Sequence, residues 1–259
     1  MTTLLIDADI VAFRVAASSE DVRTEDYLAN KLDDYLFDNI IHPLDNHLGE
    51  TTKYQLFLTG RENFRKNLNP EYKANRKDKP KPKHLNWCKQ YLLEHWNGIV
   101  ESPYEADDLL GINQTEDTII CSIDKDLLTI PGAHYNFVDG NLIVVTDYEA
   151  YHWFCCQLLT GDRGDNVEGI RKINPKSLKI SETQNFGLAG AQQWLAQCST
   201  QKQLLERVKE AYERNSKSTE DITRTGQLLY IHRTYDDLEA GCWSFDRDYK
   251  YYGGGEAPV

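Results

Sequence analysis

The chain has 259 residues, 40% hydrophobic and 27% charged, and 29 Lys plus Arg against 41 Asp plus Glu give a formal net charge of −12. This composition suits a globular protein with a buried core and excludes global disorder. No run of about 18 apolar residues occurs, which excludes a transmembrane helix, and the acidic sum by itself argues against a polyanionic partner. No basic region followed by a long apolar stretch opens the chain, so a cytoplasmic setting is expected. The 6 cysteines form no C-x-x-C pair and are expected to be reduced and mostly buried, with no zinc site.

In chain order, Thr3–Ile6 is a short apolar run ending in Asp7-Ala8-Asp9, and predicts a buried strand. Leu28, Leu32, Tyr35, Leu36 and Ile40 recur at helical spacing, so a helix is expected over 24–41 with Thr24 as its cap. Tyr54–Leu58 predicts a second strand. Leu85, Cys88, Leu92 and Trp96 mark a helix, Ile99-Val100 a short strand, and Pro103 the start of a helix carrying Leu109 and Leu110. Thr118–Ile123 predicts a third strand, ending in Asp124-Lys125-Asp126. Asp139-Gly140 predicts a hairpin turn between 135–138 and 142–145. A helix capped by Asp147 should run to Leu159 and stop at Gly161. From about residue 175 the pattern reads as all helical, near 186–197, 201–214 and 219–232, and Gly253-Gly254-Gly255 as disordered. The alternation over 1–165 predicts a mostly parallel α/β sheet covered by helices, followed by a helical subdomain.

Acidic residues recur at the ends of these elements: Asp7 with Asp9, Glu105-Ala106-Asp107-Asp108, Asp124-x-Asp126 and Asp162-x-x-Asp165. Sites in open α/β sheets lie at the carboxyl ends of strands, where Asp7 and Asp124 are expected. An extended backbone would point Asp124 and Asp126 to one side. Glu105 and Asp107 share a site only if Glu105 lies at or before the first helical turn, with Glu105 and Asp108 the rival pairing. Two carboxylates about 4 Å apart repel by about 4 kcal/mol at an effective dielectric near 20. A group of them needs counterions, and all-oxygen ligands suit Mg²⁺ or Mn²⁺.

The basic residues are concentrated. Residues 61–89 hold ten basic and three acidic side chains, a local +7 that leaves −19 for the rest. A short helix from Pro70 to about Lys77 would align Lys73, Arg76 and Lys77, with Tyr72 beside them, before Pro80 and Pro82 end it. Cations beside an aromatic ring suit a nucleic-acid strand. The segment is expected to be mobile without ligand, being polar and short of apolar residues.

Leu-Ile-Asp7-Ala-Asp9, Pro70-Glu-Tyr72-Lys73-Ala-Asn-Arg76, Glu105-Ala-Asp107-Asp108, Ser-Ile-Asp124-Lys-Asp126 and Gly-Asp162-Arg-Gly-Asp165-Asn166 stand in the order found in the flap endonuclease and 5′ nuclease family. The chain resembles this family over roughly residues 1–235, most of all the 5′–3′ exonucleases of T-odd bacteriophages. The resemblance implies a PIN-like core over 1–160 with a helical arch near 61–89 and a helix–three-turn–helix subdomain over 161–235. The aromatic residues of the tail over 236–259 are expected to pack back on the core, with a partner site as the alternative. It implies cleavage of DNA, or of an RNA primer in an RNA–DNA hybrid, from duplex 5′ ends, nicks and 5′ flaps, leaving 5′-phosphates. The expected setting is a bacterial host's cytoplasm, and the expected state a monomer with no membrane association.

By motif, Asp7, Glu105 and Asp107, with Asp108 beside them, would hold a first divalent ion, and Asp124, Asp126, Asp162 and Asp165 would mainly serve a second. Lys73 and Arg76 match arch residues that contact the scissile phosphate, and Tyr72 the tyrosine that stacks near it. The remaining implied DNA contacts are Arg65, Lys66, Lys77, Lys79, Lys81 and Lys83 in the arch, and Gly169, Arg171, Lys172, Lys176 and Lys179 in the loop, where a K⁺ ion is also implied. Two departures stand out. Gly60 occupies the position after the second strand where the family has an Asp, leaving Glu62 or water to complete that site. The loop reads Gly169-Ile170-Arg171-Lys172-Ile173-Asn174-Pro175-Lys176 instead of Gly-x-Gly, with Asn174 suited to positive φ. The competing readings are a PIN-type ribonuclease, which would need neither the basic arch nor the Gly-Asp-Arg-Gly-Asp-Asn segment, and a DNA-binding protein with catalysis impaired at Gly60.

Overall fold

The computed structural model describes residues 1–22 and 24–253. Of the glycine run expected to be disordered, Gly254 and Gly255 lie outside the described residues, and Gly253 closes the last helix. The chain forms two compact units. The first comprises Met1–Phe64, Lys79–Thr146 and Ile231–Thr234; the second comprises Arg65–Asp78, Asp147–Tyr230 and the residues from Tyr235 on. Residues 65–78 and 147–160, expected with the core, pack in the second unit.

In chain order the first unit contains β1 (Thr3–Asp7), α1 (Ala8–Ala17), α2 (Glu25–Leu36), α3 (His42–Leu48) and β2 (Lys53–Phe57). A short α4 (Phe64–Leu68) marks the exit from it. After the return come α5 (Leu85–His95), α6 (Ala106–Asn113), β3 (Thr118–Cys121), β4 (Gly132–Asn136) and β5 (Asn141–Val145). The sheet runs β2-β1-β3-β4-β5, parallel through β4, with β5 antiparallel at the edge. Strand β1 sits among neighbours because Leu4, Leu5 and Ile6 are buried on both faces, as a central parallel strand requires. The strand order reverses between β1 and β3, which opens a crevice at their carboxyl ends.

Local differences from the expected elements have physical reasons. Helix α1, not expected from the sequence, starts directly after β1 because the Asp7 carboxylate caps it, accepting from Ile10 N–H at 3.2 Å. The expected 24–41 helix is α2 followed without a break by a π-helical turn, Phe37–Ile41. Ile99 makes only an isolated parallel bridge to Phe57. Helix α6 begins at Ala106, three residues after Pro103, with Glu105 as its cap. The hairpin forms around Gly140, with Asn136 opposite Asn141.

The second unit contains α7 (Asp147–Thr160), β6 (Gly161–Asp162), β7 (Val167–Glu168), β8 (Arg171–Ile173), β9 (Ile180–Asn185), α8 (Leu188–Leu195), α9 (Gln201–Arg214), α10 (Thr219–Leu229), α11 (Asp236–Glu239) and α12 (Phe245–Tyr252). The all-helical pattern expected from residue 175 is wrong at its start. Arg171–Ile173 pairs antiparallel with Ile180–Asn185, and the next helix waits until Leu188. Two antiparallel hairpins thus fill the stretch expected to lead directly into a second helix. Gly161, at φ 62°, and Gly169 let the first hairpin sit on the end of α7, since a Cβ at Gly169 would stand 2.2 Å from Thr160 O. Positive φ in the second falls on Leu178, not Asn174. Trp243 and Phe245 of the tail are buried with Phe154 and Tyr212 in this unit's core, as expected. Tyr151 and Trp243 both donate to Asp248 Oδ2, at 2.9 and 2.7 Å.

Residues Ile231–Thr234 form a strap in the first unit. His232 N–H donates to Asp108 Oδ1 at 3.2 Å, the His232 ring stacks on Phe64, and Arg233 Nη2 donates to Thr129 O at 2.7 Å. Gly111 on α6 accommodates it, because a Cβ there would lie 2.3 Å from His232 O.

Candidate active site

In the first unit, Asp7 closes β1 and Ser122 follows β3, so the two span the crevice where the strand order reverses. Ser122 Oγ donates to Asp7 Oδ2 at 2.8 Å and accepts from Asp124 N–H at 3.0 Å. Asp7 is 2% exposed. Burial first, then the negative charges of Asp9 and Asp124, push its carboxyl up to about 7, against the pull of its hydrogen bonds to Ser122 and Ile10. Asp9, on the first turn of α1, accepts from Thr59 N–H at 3.1 Å and pairs with Lys89 Nζ at 2.6 Å. The Thr59 hydroxyl accepts from Ala106 N–H at 3.0 Å, which ties the end of β2 to the start of α6.

Glu105 stands at the N-cap of α6, before the first turn, as sharing a site with Asp107 requires. The rival pairing also exists, as a reciprocal capping box: Glu105 accepts from the Asp108 backbone, and Glu105 N–H donates to Asp108 Oδ2 at 3.1 Å. Asp108 is 0% exposed and its two oxygens accept from Glu105 and His232 N–H. This corrects its placement among the metal ligands, since its carboxylate serves backbone groups. Asp124 and Asp126 are not aligned by an extended backbone. Asp124 caps a 3₁₀ turn, Lys125–Thr129, and accepts from Asp126 N–H at 2.9 Å. A side chain at Gly60 would start 2.9 Å from Val100 Cγ1, so the packing of residues 99–102 excludes a carboxylate there without rearrangement. Glu62 is exposed.

Among the described residues, no three His, Cys, Asp or Glu side chains close up as a ready-made metal cage. Ser122, Thr59, Lys89 and the α6 backbone each take up carboxylate oxygens. The residues nevertheless fit a hard divalent cation. The donors are all oxygen, and a carboxyl held up to about 7 by burial first and by neighbouring acids second is one that a cation would relieve.

In the second unit, the expected helix at 70–77 does not form. Lys73 takes φ 57°, and only a 3₁₀ turn, Ala74–Arg76, follows. The segment is instead bound to the 162–166 loop. Lys73 N–H donates to Asp165 O at 2.9 Å, Asn75 Nδ2 to Arg163 O at 2.6 Å, and Asn166 Nδ2 to Glu71 O at 2.9 Å. Asp165 gathers the residues expected to contact phosphate. Its carboxylate accepts from the Tyr72 hydroxyl at 2.6 Å and from Arg76 Nη2 at 2.5 Å, with Lys73 Nζ at 3.6 Å. Arg76 Nε also donates to Gly164 O at 2.8 Å, and Asp162 Oδ1 accepts from Gly164 N–H at 2.6 Å. Tyr72 is 3% exposed and packs in the core, so its ring is not presented for stacking on a base, and the segment does not lack apolar anchorage.

Arg65 is a further correction. It is 2% exposed and donates to the carbonyls of Leu228 at 3.0 Å and Tyr230 at 2.6 Å, closing the end of α10 rather than facing a ligand. Lys66, Lys77, Lys79, Lys81 and Lys83 are exposed, as are Arg171, Lys176 and Lys179. Lys172 is half-buried and Gly169 buried. Sequence reasoning missed Ser122, Thr59 and Lys89. Ser122 had a signal, standing two residues before Asp124 just past β3; Thr59 and Lys89 had none in their local pattern.

The fold places this chain with resolvase-like α/β proteins. A solved T5 5′-exonuclease structure with divalent zinc superimposes with a TM-score of 0.59 at 15% identity, covering 97% of this chain and 99% of that one. In sequence, 126 residues are 33% identical to the exodeoxyribonuclease of Enterobacteria phage T3, covering 44% of this chain and 42% of that protein. A further 30% identity over 131 residues relates it to the flap endonuclease Xni of Shewanella pealeana, covering 44% and 51%. The alignment thus spans less than half of the phage relative and about half of the other. Residues 2–155 match the model of the 5′-3′ exonuclease N-terminal resolvase-like domain. The chain belongs to that family.

Proposed function

We propose that this chain is a divalent-metal-dependent 5′–3′ exonuclease and structure-specific 5′ flap endonuclease that hydrolyses DNA and leaves 5′-phosphate products. The observation that carries the reading is Asp7, a buried carboxyl at the carboxyl end of the central parallel strand, raised to about 7 beside Asp9 and Asp124. Asp7, Glu105 and Asp107 would hold one Mg²⁺ or Mn²⁺, and Asp124 and Asp126 a second. When bound, such ions lower the pKa of an attacking water and stabilise the departing oxygen.

The protein's own part is to supply ionised oxygens and to neutralise the substrate. Ser122 orients the Asp7 carboxylate and fixes the backbone of Asp124. Lys73 and Arg76 are the cations proposed to meet the scissile phosphate, with Asp165 holding them in position. The exposed lysines of 77–83 and of the second hairpin would track the duplex backbone. The proposal does not extend to K⁺ at that hairpin, because Asn174 Oδ1 is turned inward to accept from Lys176 and Ser177 N–H. A monomer acting in a bacterial host's cytoplasm, on RNA–DNA hybrids as well as DNA, completes the reading.

Cleavage of a 5′-labelled duplex with and without Mg²⁺ tests it. Mg²⁺-dependent release of 5′-phosphorylated products is expected. DNA binding with no cleavage in Mg²⁺ would overturn the reading, and cleavage restricted to RNA would favour a PIN-type ribonuclease.

A further inference from the structure

The contact of Lys89 with Asp9 has a direct bearing on ion binding in the first unit. Lys89 lies on α5 and reaches α1, where its Nζ stands 2.6 Å from Asp9 Oδ1. The other oxygen of Asp9 accepts from Thr59 N–H at 3.1 Å, and the Thr59 hydroxyl accepts from Ala106 N–H at the start of α6. Asp9 is therefore joined through one residue to the helix that carries Glu105 and Asp107, and it follows Asp7 by two positions. Gly60, next to Thr59, offers no carboxylate, and Val100 blocks its Cβ direction at 2.9 Å. Asp9 is the acid whose oxygen already rests on the backbone at that point.

We propose that Lys89 is a tethered counterion of this acidic group, which holds Asp9 in the ion-free protein and yields it to an incoming divalent cation, making Asp9 part of the ion-binding set. The proposal rests on the metal-dependent reading above. The chemistry favours exchange over a permanent bridge. An ammonium on a flexible four-carbon stem can swing away with little loss, whereas a guanidinium fork would hold a carboxylate in two bonds. Asp9 Oδ1 is itself buried, but the two side chains are 31% and 25% exposed, so the pair's strength is modest. A doubly charged ion placed among Asp7, Asp9 and Glu105 outweighs one ammonium and repels it. Lys89 would thus be a positioning residue, acting on Asp9 and not on substrate.

The test is Mn²⁺ binding to the DNA-free full chain, read from the free-Mn²⁺ electron paramagnetic resonance signal, with thermal melts to show that each variant folds. Lys89→Met should tighten Mn²⁺ binding about fivefold, the equivalent of about 1 kcal/mol for a partly exposed pair. Asp9→Asn should weaken it about tenfold. In the Asp9→Asn background, Lys89→Met should add nothing, because the carboxylate for which it competes is gone. Unchanged or weaker binding in Lys89→Met overturns the proposal, and so does a tightening that persists without Asp9. If the wild type binds Mn²⁺ and Asp7→Asn abolishes it, the metal-dependent reading stands whatever Lys89 does. If the wild type binds no Mn²⁺, both fall together.

Discussion

The two acidic regions solve the same electrostatic problem in opposite ways. In the second unit, Asp165 is matched inside its own unit by Tyr72, Lys73 and Arg76, and the match fixes the backbone of residues 71–76. In the first unit, Asp7 is buried with acids for neighbours, and its carboxyl is driven up to about 7. Its neighbour Asp9 meets a cation, Lys89. A charge-matched acid is a fastener; an unmatched buried acid is a standing cost that a ligand can remove. The difference is why the proposed ions are placed in the first unit.

Asp7→Asn should break this contrast most sharply. Cleavage should fall by on the order of a thousandfold while DNA affinity is kept, as measured by single-turnover assay and gel shift. Retained turnover would return Asp7 to a purely capping role. The pH dependence of stability sharpens the same side. Because the folded pKa of Asp7 is raised from 3.8 to about 7, the ion-free folded state holds a proton that the unfolded chain has released. Its contribution to stability is present below about pH 4, falls as pH rises to about 7, and is flat above. The loss is at most about 4 kcal/mol. Urea melts in chelator should follow this fall, Asp7→Asn should flatten it, and divalent-ion affinity should weaken below pH 7 as the proton competes.

Removing the fastener should have a smaller effect. Asp165→Ala should destabilise the chain by about 1–2 kcal/mol, since it removes the carboxylate to which the buried Tyr72 hydroxyl donates, while half-exposed Arg76 is rehydrated. Proteolysis at 71–79 should speed up. Unaltered proteolysis would mean that the Asn75 and Asn166 bonds suffice to hold the segment. Smallest is Gly60→Ala, at about 1 kcal/mol in a urea melt, because only Val100 and its neighbours must shift.

The acids of the first unit were legible because local rules place them. A buried run followed by Asp marks a strand end, and a cap position decides which way Glu105 faces. Helix α1 was hidden because its cap is the same Asp7 that ends β1, so strand and helix share one residue. The 171–185 hairpin was hidden because its strands are short and polar, without period-two alternation of apolar residues. Arg65 and Tyr72 read as nucleic-acid contacts of a basic run because their partners, Leu228, Tyr230 and Asp165, lie some 90 to 165 positions away along the chain. Local pattern reports a charge; only tertiary contact reports what answers it.

The strap at Ile231–Thr234 has a practical consequence for dissecting this protein. The family match ends at residue 155, yet the first unit is completed only by residues more than 70 positions later. A truncation after 155 would strip His232 N–H from the fully enclosed Asp108 and uncover the groove that Gly111 leaves on α6. Such a fragment should be poorly soluble and should lose its acidic centre along with its fold, so activity absent from it would say nothing about the chemistry. The domain recognised by sequence comparison and the body that folds are different pieces of chain.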